Sequence, residues 1–541
     1  MNKQKALHIN RIYCLMALLC GVMAGCAKMG TPSGGPRDVT PPGVIGTVPE
    51  NKTVDFSATE FSIAFDEYVV LRDVDNNVLV SPPVKPKPDI KTKGRSVVVR
   101  FRDTLQTNTT YNFQFLNAIA DFHEGNLLEN FQYVFSTGQH IDSMTIRGQV
   151  KDALTLKAVE AESPVCVLLC DDTLGVRYQT RCNKDGTFAF NHIKHDGYKL
   201  IALMDDNKNL KLDSIESMAF ADTMVMSQPM PADSVAVPLI ALMLSKPDRE
   251  KQRVVGSDFV TRERLRIVTQ APMSNPTLES VTPLYWKLNA KGDTLTVWLA
   301  APADSVRLVL RDDKGLKDTL RMRYRSMGRP PMAATTGNVK PNFTGTLAYY
   351  DTLAFTFAKP FTLNRCDSIL AYISSDSTEQ GVMGCFTPSP LNGNTEHTRS
   401  TTLQMDWRPT PGKGYHLRLL TPDTASFRME VSKPEQYGTI ILTMEGEALI
   451  ELLNEQDEVL QRKPSASKVR FEHLKGGNYR IRAVEDRNGD GKWTPGDYFQ
   501  GRQPEKVQYF SKTLNVRENW DMEEVWNLNE APVDDNKTDQ R

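Results

Sequence analysis

The chain has 541 residues, 40% hydrophobic and 24% charged, with 65 Lys and Arg against 66 Asp and Glu. That length is too great for one hydrophobic core and requires several domains. A net charge of −1, with both signs interspersed, excludes the basic face of a typical nucleic-acid binder.

The first residues set the compartment. Lys3, Lys5 and Arg11 form a basic region, and an apolar run follows from Ile12 to Met23. The run is too short to span a bilayer, which takes about 20 helical residues. It ends in Val22-Met23-Ala24-Gly25-Cys26. Small residues before a cysteine resemble a bacterial lipobox. The resemblance implies a signal peptide over 1–25 and acylation of Cys26, with palmitate as a typical acyl chain. Residues 26–40 are rich in Gly, Pro and Ser and read as a flexible tether. No Asp follows Cys26 and no acidic cluster follows it. Those absences favour the outer membrane, with its periplasmic face ahead of the cell surface.

From residue 41 onward the signal is strand. TEFSIAFDEYVVL (59–71), RSVVVRF (95–101), TYNFQFL (110–116) and FQYVFST (131–137) alternate apolar and polar residues between turns. This predicts an all-β, multi-domain string of sandwiches. Ile63, Phe65, Val98, Phe113 and Phe115 are expected to face the first core. Segments 30–42, 61–69, 104–115 and 130–138 resemble the S-layer-type bacterial Ig-like domain of Bacteroidetes-type lipoproteins. The resemblance implies an Ig-like domain at 41–138. The next stretch, 144–246, opens TIRGQVKDALT and looks like a prealbumin-like module of the B-repeat type.

That module recurs. FNHIKHDGYKLIALMDDNKNLKLDSIE (190–216) aligns without a gap on FEHLKGGNYRIRAVEDRNGDGKWTPGD (471–497). Phe190, His192, Tyr198, Ala202, Asp205 and Asn207 fall on Phe471, His473, Tyr479, Ala483, Asp486 and Asn488, an offset of 281 residues. The expected order is therefore a β-rich spacer and linker at 250–340, a second Ig-like domain at 341–430 and a second prealbumin-like sandwich at 436–528. A polar tail closes the chain at 529–541. Trp520 and Trp526 are expected to complete the last core.

Chemistry concentrates in the two repeated loops. In the later copy, Asp486, Asn488, Asp490, Lys492 (through its carbonyl) and Asp497 follow the ligand spacing of an EF-hand calcium loop. In the earlier copy the matching residues are Asp205, Asn207, Asn209, Asp213 and Glu216, with Leu210 in place of glycine. Structural Ca2+ is one reading. The other is a hairpin whose Asp and Asn side chains bond their own backbone.

Export permits disulfides, and Cys366–Cys385 is the expected pair. Cys166 and Cys170 lie four apart on one strand and are expected as buried free thiols. No metalloprotease, nucleophile-elbow or phosphate-loop motif is present. The expectation is a non-catalytic scaffold lipoprotein that binds other envelope proteins. One alternative is glycan binding through a row of exposed tryptophans drawn from Trp286, Trp298, Trp407, Trp493, Trp520 and Trp526. Another is a hydrolase with an interdomain site.

Overall fold

The structure is a computed structural model. It describes residues 38–159, 165–207, 212–230, 239–248, 252–325, 339–362, 371–374, 382–384, 386–393, 399–405, 407–419 and 425–529. Cys26, Asn209, Cys366 and Cys385 lie outside the described residues. Among the described residues, strands dominate, and the one α-helix is the single turn Val74–Asn77.

The first sandwich sets a four-stranded sheet, Val44–Val48, Glu60–Phe65, Ser96–Arg100 and Asp89–Lys93, against a three-stranded one centred on Thr110–Phe115. Its core is aromatic. Phe61 stacks on Tyr133 at 4.0 Å and meets Phe113 edge-on at 5.1 Å. Such pairs add about 0.5–1.5 kcal/mol each beyond the area they bury. Ile63, Phe65, Phe113 and Phe115 are buried as expected, but Val98 is not a core residue. Val97 and Val99 point inward instead, because Arg100 must reach solvent and a strand alternates strictly.

The sequence repeat is a structural repeat. In the second sandwich, Met144–Asp152 lies between Thr187–Ile193 and a parallel strand, Ile240–Leu244. In the fifth, Gly438–Glu445 lies between Lys468–Leu474 and a parallel strand, Asp521–Asn527. The facing sheets match as well: Cys166–Cys170 pairs with Val176–Arg181 and Gly197–Leu203, and Leu449–Leu453 pairs with Val459–Pro464 and Gly477–Val484. Phe190 and Phe471 fill the same core position in the two copies.

Residues 254–323 build a full sandwich with its own core of Leu265, Ile267, Leu295, Val297, Leu308 and Leu310. The fourth sandwich, 339–431, is joined to this third one through a shared sheet, because Asn392–Gly393 pairs with Tyr285–Trp286. The Trp298 indole N–H also donates to the carbonyl of Ala358 at 3.1 Å.

The chain then folds back on itself. The fifth sandwich docks on the second, although hundreds of residues separate them. Leu154 and Leu156, from a turn of the second, pack on Leu449, Val484, Val507 and Trp493 of the fifth. Tyr498 of the fifth meets Phe220 of the second edge-on at 5.2 Å. The amide of Gly496 donates to Ser245 Oγ at 2.9 Å, and Gln503 donates to the carbonyl of Phe220 at 2.9 Å.

A buried ion pair supports this interface. Glu451, 1% exposed, accepts from Arg482 Nε at 2.8 Å and from Arg462 Nε at 2.8 Å. Arg482 also donates to the Tyr509 hydroxyl at 3.2 Å, and that hydroxyl donates to the Leu154 carbonyl at 3.1 Å. In the second sandwich the corresponding cross-strand pair is Leu168 and Ile201, which is apolar. Removing one member of a buried pair strands the other charge, whereas replacing both with apolar groups can be neutral or stabilising. We therefore expect Glu451→Leu to destabilise the fifth sandwich by about 3–5 kcal/mol. The double change Glu451→Leu/Arg482→Ile should recover most of that loss in denaturant titrations. Equal destabilisation by the single and double variants would contradict this account.

Candidate functional sites

The joints between sandwiches carry most of the unusual chemistry. Between the first and second, a polar seam is fully buried. Ser81 Oγ donates to the Gln179 carbonyl at 3.2 Å and accepts from the Gln179 amide at 3.0 Å. The Thr180 hydroxyl donates to Gln114 Oε1 at 3.0 Å. Buried polar groups need partners, and here the partners belong to the other sandwich, so separating the two leaves them unsatisfied.

The repeated histidines mark the same place in each copy. His192 (φ 58°) and His473 (φ 63°) both adopt the left-handed conformation, each beside a register irregularity of the paired strand. Such backbone is uncommon outside glycine and needs surrounding support. His192 Nδ1 lies 3.2 Å from the Asp142 carbonyl in the segment arriving from the first sandwich. Burial holds its pKa below the ordinary histidine value. The His473 ring stacks on Tyr350 of the fourth sandwich at 3.9 Å. Each bulge thus turns a side chain out of its own sheet, His192 onto the segment arriving from the first sandwich and His473 onto the fourth.

The two acidic loops differ more than their sequences do. In the later loop the oxygens serve the loop's own backbone. Asp486 accepts from the amides of Asp490 at 3.1 Å and Gly491 at 2.9 Å, Asn488 accepts from Asp490 N at 2.9 Å, and Asp490 accepts from Lys492 N at 3.0 Å. Gly489 and Gly491 supply left-handed turns at φ 69° and 72°. Asp497 is buried and caps a 3-10 turn by accepting from Gln500 N at 3.1 Å. Glu505, a residue the loop spacing does not reveal, clamps both ends by accepting from Arg487 N at 2.8 Å and Thr494 N at 2.9 Å.

In the earlier loop the closing residue is different. Glu216 is 6% exposed, its carboxylate meets the Asn207 backbone, and it has no side-chain hydrogen-bond partner among the described residues. Burial raises its pKa, and the charges of Asp205 and Asp213 raise it further. A buried carboxylate facing other carboxylates suits a cation better than it suits an Asx turn. Among the described residues, no three His, Cys, Asp or Glu side chains are already gathered around one point.

The remaining candidates are structural. Asp121, in NAIADFHEGN, is buried and accepts from the amides of Glu124, Gly125 and Asn126 at 2.6–2.9 Å. It closes a turn and holds no substrate-facing geometry. Cys166, Cys170 and Cys182 are free thiols. Burial pushes them up to about 12, about 11 and about 12, so they are inert as nucleophiles near neutral pH. The indoles form no row: Trp298 is buried and Trp526 packs on Phe510, while Trp520 is 60% exposed and does not complete the last core. Among the described residues, no helix is long and apolar enough to cross a membrane.

The strands and aromatic core of the first sandwich define an Ig-like β-sandwich protein. Residues 38–137 match the family model of the bacterial Ig-like domain. No curated protein matches the chain. Among solved structures, the chain is similar to the TIE protein of Bacillus anthracis at 8% identity, over 92% of this chain and 76% of that one, with a TM-score of 0.14. It is also similar to the S-layer protein SbsC (11%, over 88% and 68%, TM-score 0.14). A third is the major pilin subunit BcpA of Bacillus cereus (7%, over 71% and 98%, TM-score 0.15). Scores of this size carry no functional inference.

Proposed function

We propose that this chain is a non-catalytic scaffold of the cell envelope, held on the periplasmic face of the outer membrane by lipid at Cys26 and bound there to other envelope proteins. The observation that carries the reading is the construction of the joints. The first and second sandwiches are joined by buried polar groups, the fourth and fifth by stacked rings, and the second and fifth interlock across the chain. A fixed spatial arrangement of sandwiches is what a bracket requires. An enzyme requires a pocket with convergent acid, base or nucleophile, and the most perturbed groups among the described residues are thiols and tyrosine hydroxyls whose pKa burial raises. Labelled palmitate should enter the wild-type protein and not Cys26→Ala. Crosslinking in whole cells should enrich specific outer-membrane proteins with the wild type and lose them with the unanchored variant. An unlabelled wild type, or a chain that crosslinks to nothing, would contradict the proposal.

Calcium at the earlier loop, on Glu216 with Asp205 and Asp213, is part of this reading. The ion stiffens the second sandwich beside its contact with the fifth. Without a cation, a carboxyl with a raised folded-state pKa stabilises the fold at low pH, and that contribution is lost as pH rises through the folded pKa. In chelator at pH 7, Glu216→Gln should therefore melt above the wild type. Added calcium should raise the melting temperature of the wild type alone. A wild type indifferent to calcium and chelator would return this loop, with the later one, to a backbone turn.

A further inference from the structure

The third sandwich carries a charge distribution that folding alone disfavours. Between Val254 and Arg325 there are twelve Lys and Arg against eight Asp and Glu, in a chain whose total is −1. The excess is not scattered. In the hairpin of Ser305–Arg311 and Lys317–Arg323, Arg307 stands directly opposite Arg321, and Arg311 directly opposite Lys317. All four side chains point outward, as does Arg323. Like charges directly opposed across a ladder destabilise a sheet. The neutralising acid on this face is Glu279, which reaches Arg311 at 3.5 Å. Arg307, Lys317, Arg321 and Arg323 form no ion pair among the described residues.

The face is also concave. Arg307, Arg321 and Arg323 line an open groove of about 870 Å³, together with Glu279, Val306, Val309 and the fully exposed Val281. We propose that this groove binds an acidic polysaccharide, a glycan chain bearing carboxylate, sulfate or phosphate groups. Guanidinium groups pair such anions through two parallel hydrogen bonds. The Arg307–Arg321 pair lines the groove, and the Arg311–Lys317 pair lies beyond its lining, four residues along the strand or about 13 Å. A single small anion cannot bridge them, whereas a chain with repeated charges meets both. Single-stranded nucleic acid is disfavoured because stacking needs aromatic rings, and this face presents none.

The test uses the full chain in detergent, with a heparin decasaccharide as the probe, neutral dextran as the control and phosphatidylglycerol vesicles as the competing source of anionic groups. Heparin should bind, binding should weaken steeply with salt, and dextran should not bind. Arg307→Ser/Arg321→Thr should lower heparin affinity at least tenfold. Arg321→Glu, which places an acid opposite Arg307, should lower it further while raising the melting temperature of the third sandwich. That rise separates loss of a binding site from loss of the fold. Unchanged heparin affinity in both variants, no heparin binding by the wild type, or binding to the vesicles alone would overturn the proposal.

Discussion

The docking of the fifth sandwich on the second is the constraint on which the rest of the structure depends. A chain of sandwiches joined only by linkers could take many shapes. Here the first sandwich is fixed to the second by a buried polar seam, the third to the fourth by a shared sheet, and the fourth to the fifth by stacked rings. Once the fifth closes on the second, each joint limits the others. The closing contact is partly apolar, from Leu154, Leu156, Leu449 and Val484, and partly polar, through Tyr509 and Gln503. The apolar part supplies most of the drive. The polar part fixes the register of the two surfaces, since a shifted docking would leave those groups unpaired.

Duplication explains how such an interface arises within one chain, and divergence explains why it is not symmetric. The two copies keep the same strand pairing, the same inward phenylalanine and the same left-handed histidine. Their outer sheet faces have separated. One presents Cys166, Leu168, Cys170 and Ile201, and the other places the Glu451–Arg482 pair at the corresponding position. The acidic loops diverged in the same way. One is a hydrogen-bonded turn sealed by Glu505, and the other holds a buried carboxylate, Glu216, whose pKa burial and the charges of Asp205 and Asp213 raise.

Much of the fold was legible in the sequence, because strand alternation and an ungapped repeat are strong signals. The limits are equally physical. The run Val97-Val98-Val99 has no internal phase, so its inward residues are decided by Arg100 and not by hydrophobicity. Trp520 looked like a core residue by size, but it sits in the turn before the last strand and remains exposed. The acidic loops were found by spacing, yet spacing does not distinguish a carboxylate that closes its own turn from one buried beside other acids. The interdomain contacts were not legible at all. Leu154 and Leu156 lie in a turn, and Ser81, Gln114 and Gln179 are polar, so nothing local signals that another sandwich covers them. The opposed cations of the third sandwich likewise emerge only from strand register.

The account stands on the closed arrangement of sandwiches, and small-angle X-ray scattering from the monomeric chain tests it most directly. The docked form predicts a maximum dimension that increases in Leu156→Asp, which places a charge in the contact between the second and fifth sandwiches. An extended profile for the wild type, indistinguishable from that of Leu156→Asp, would contradict it.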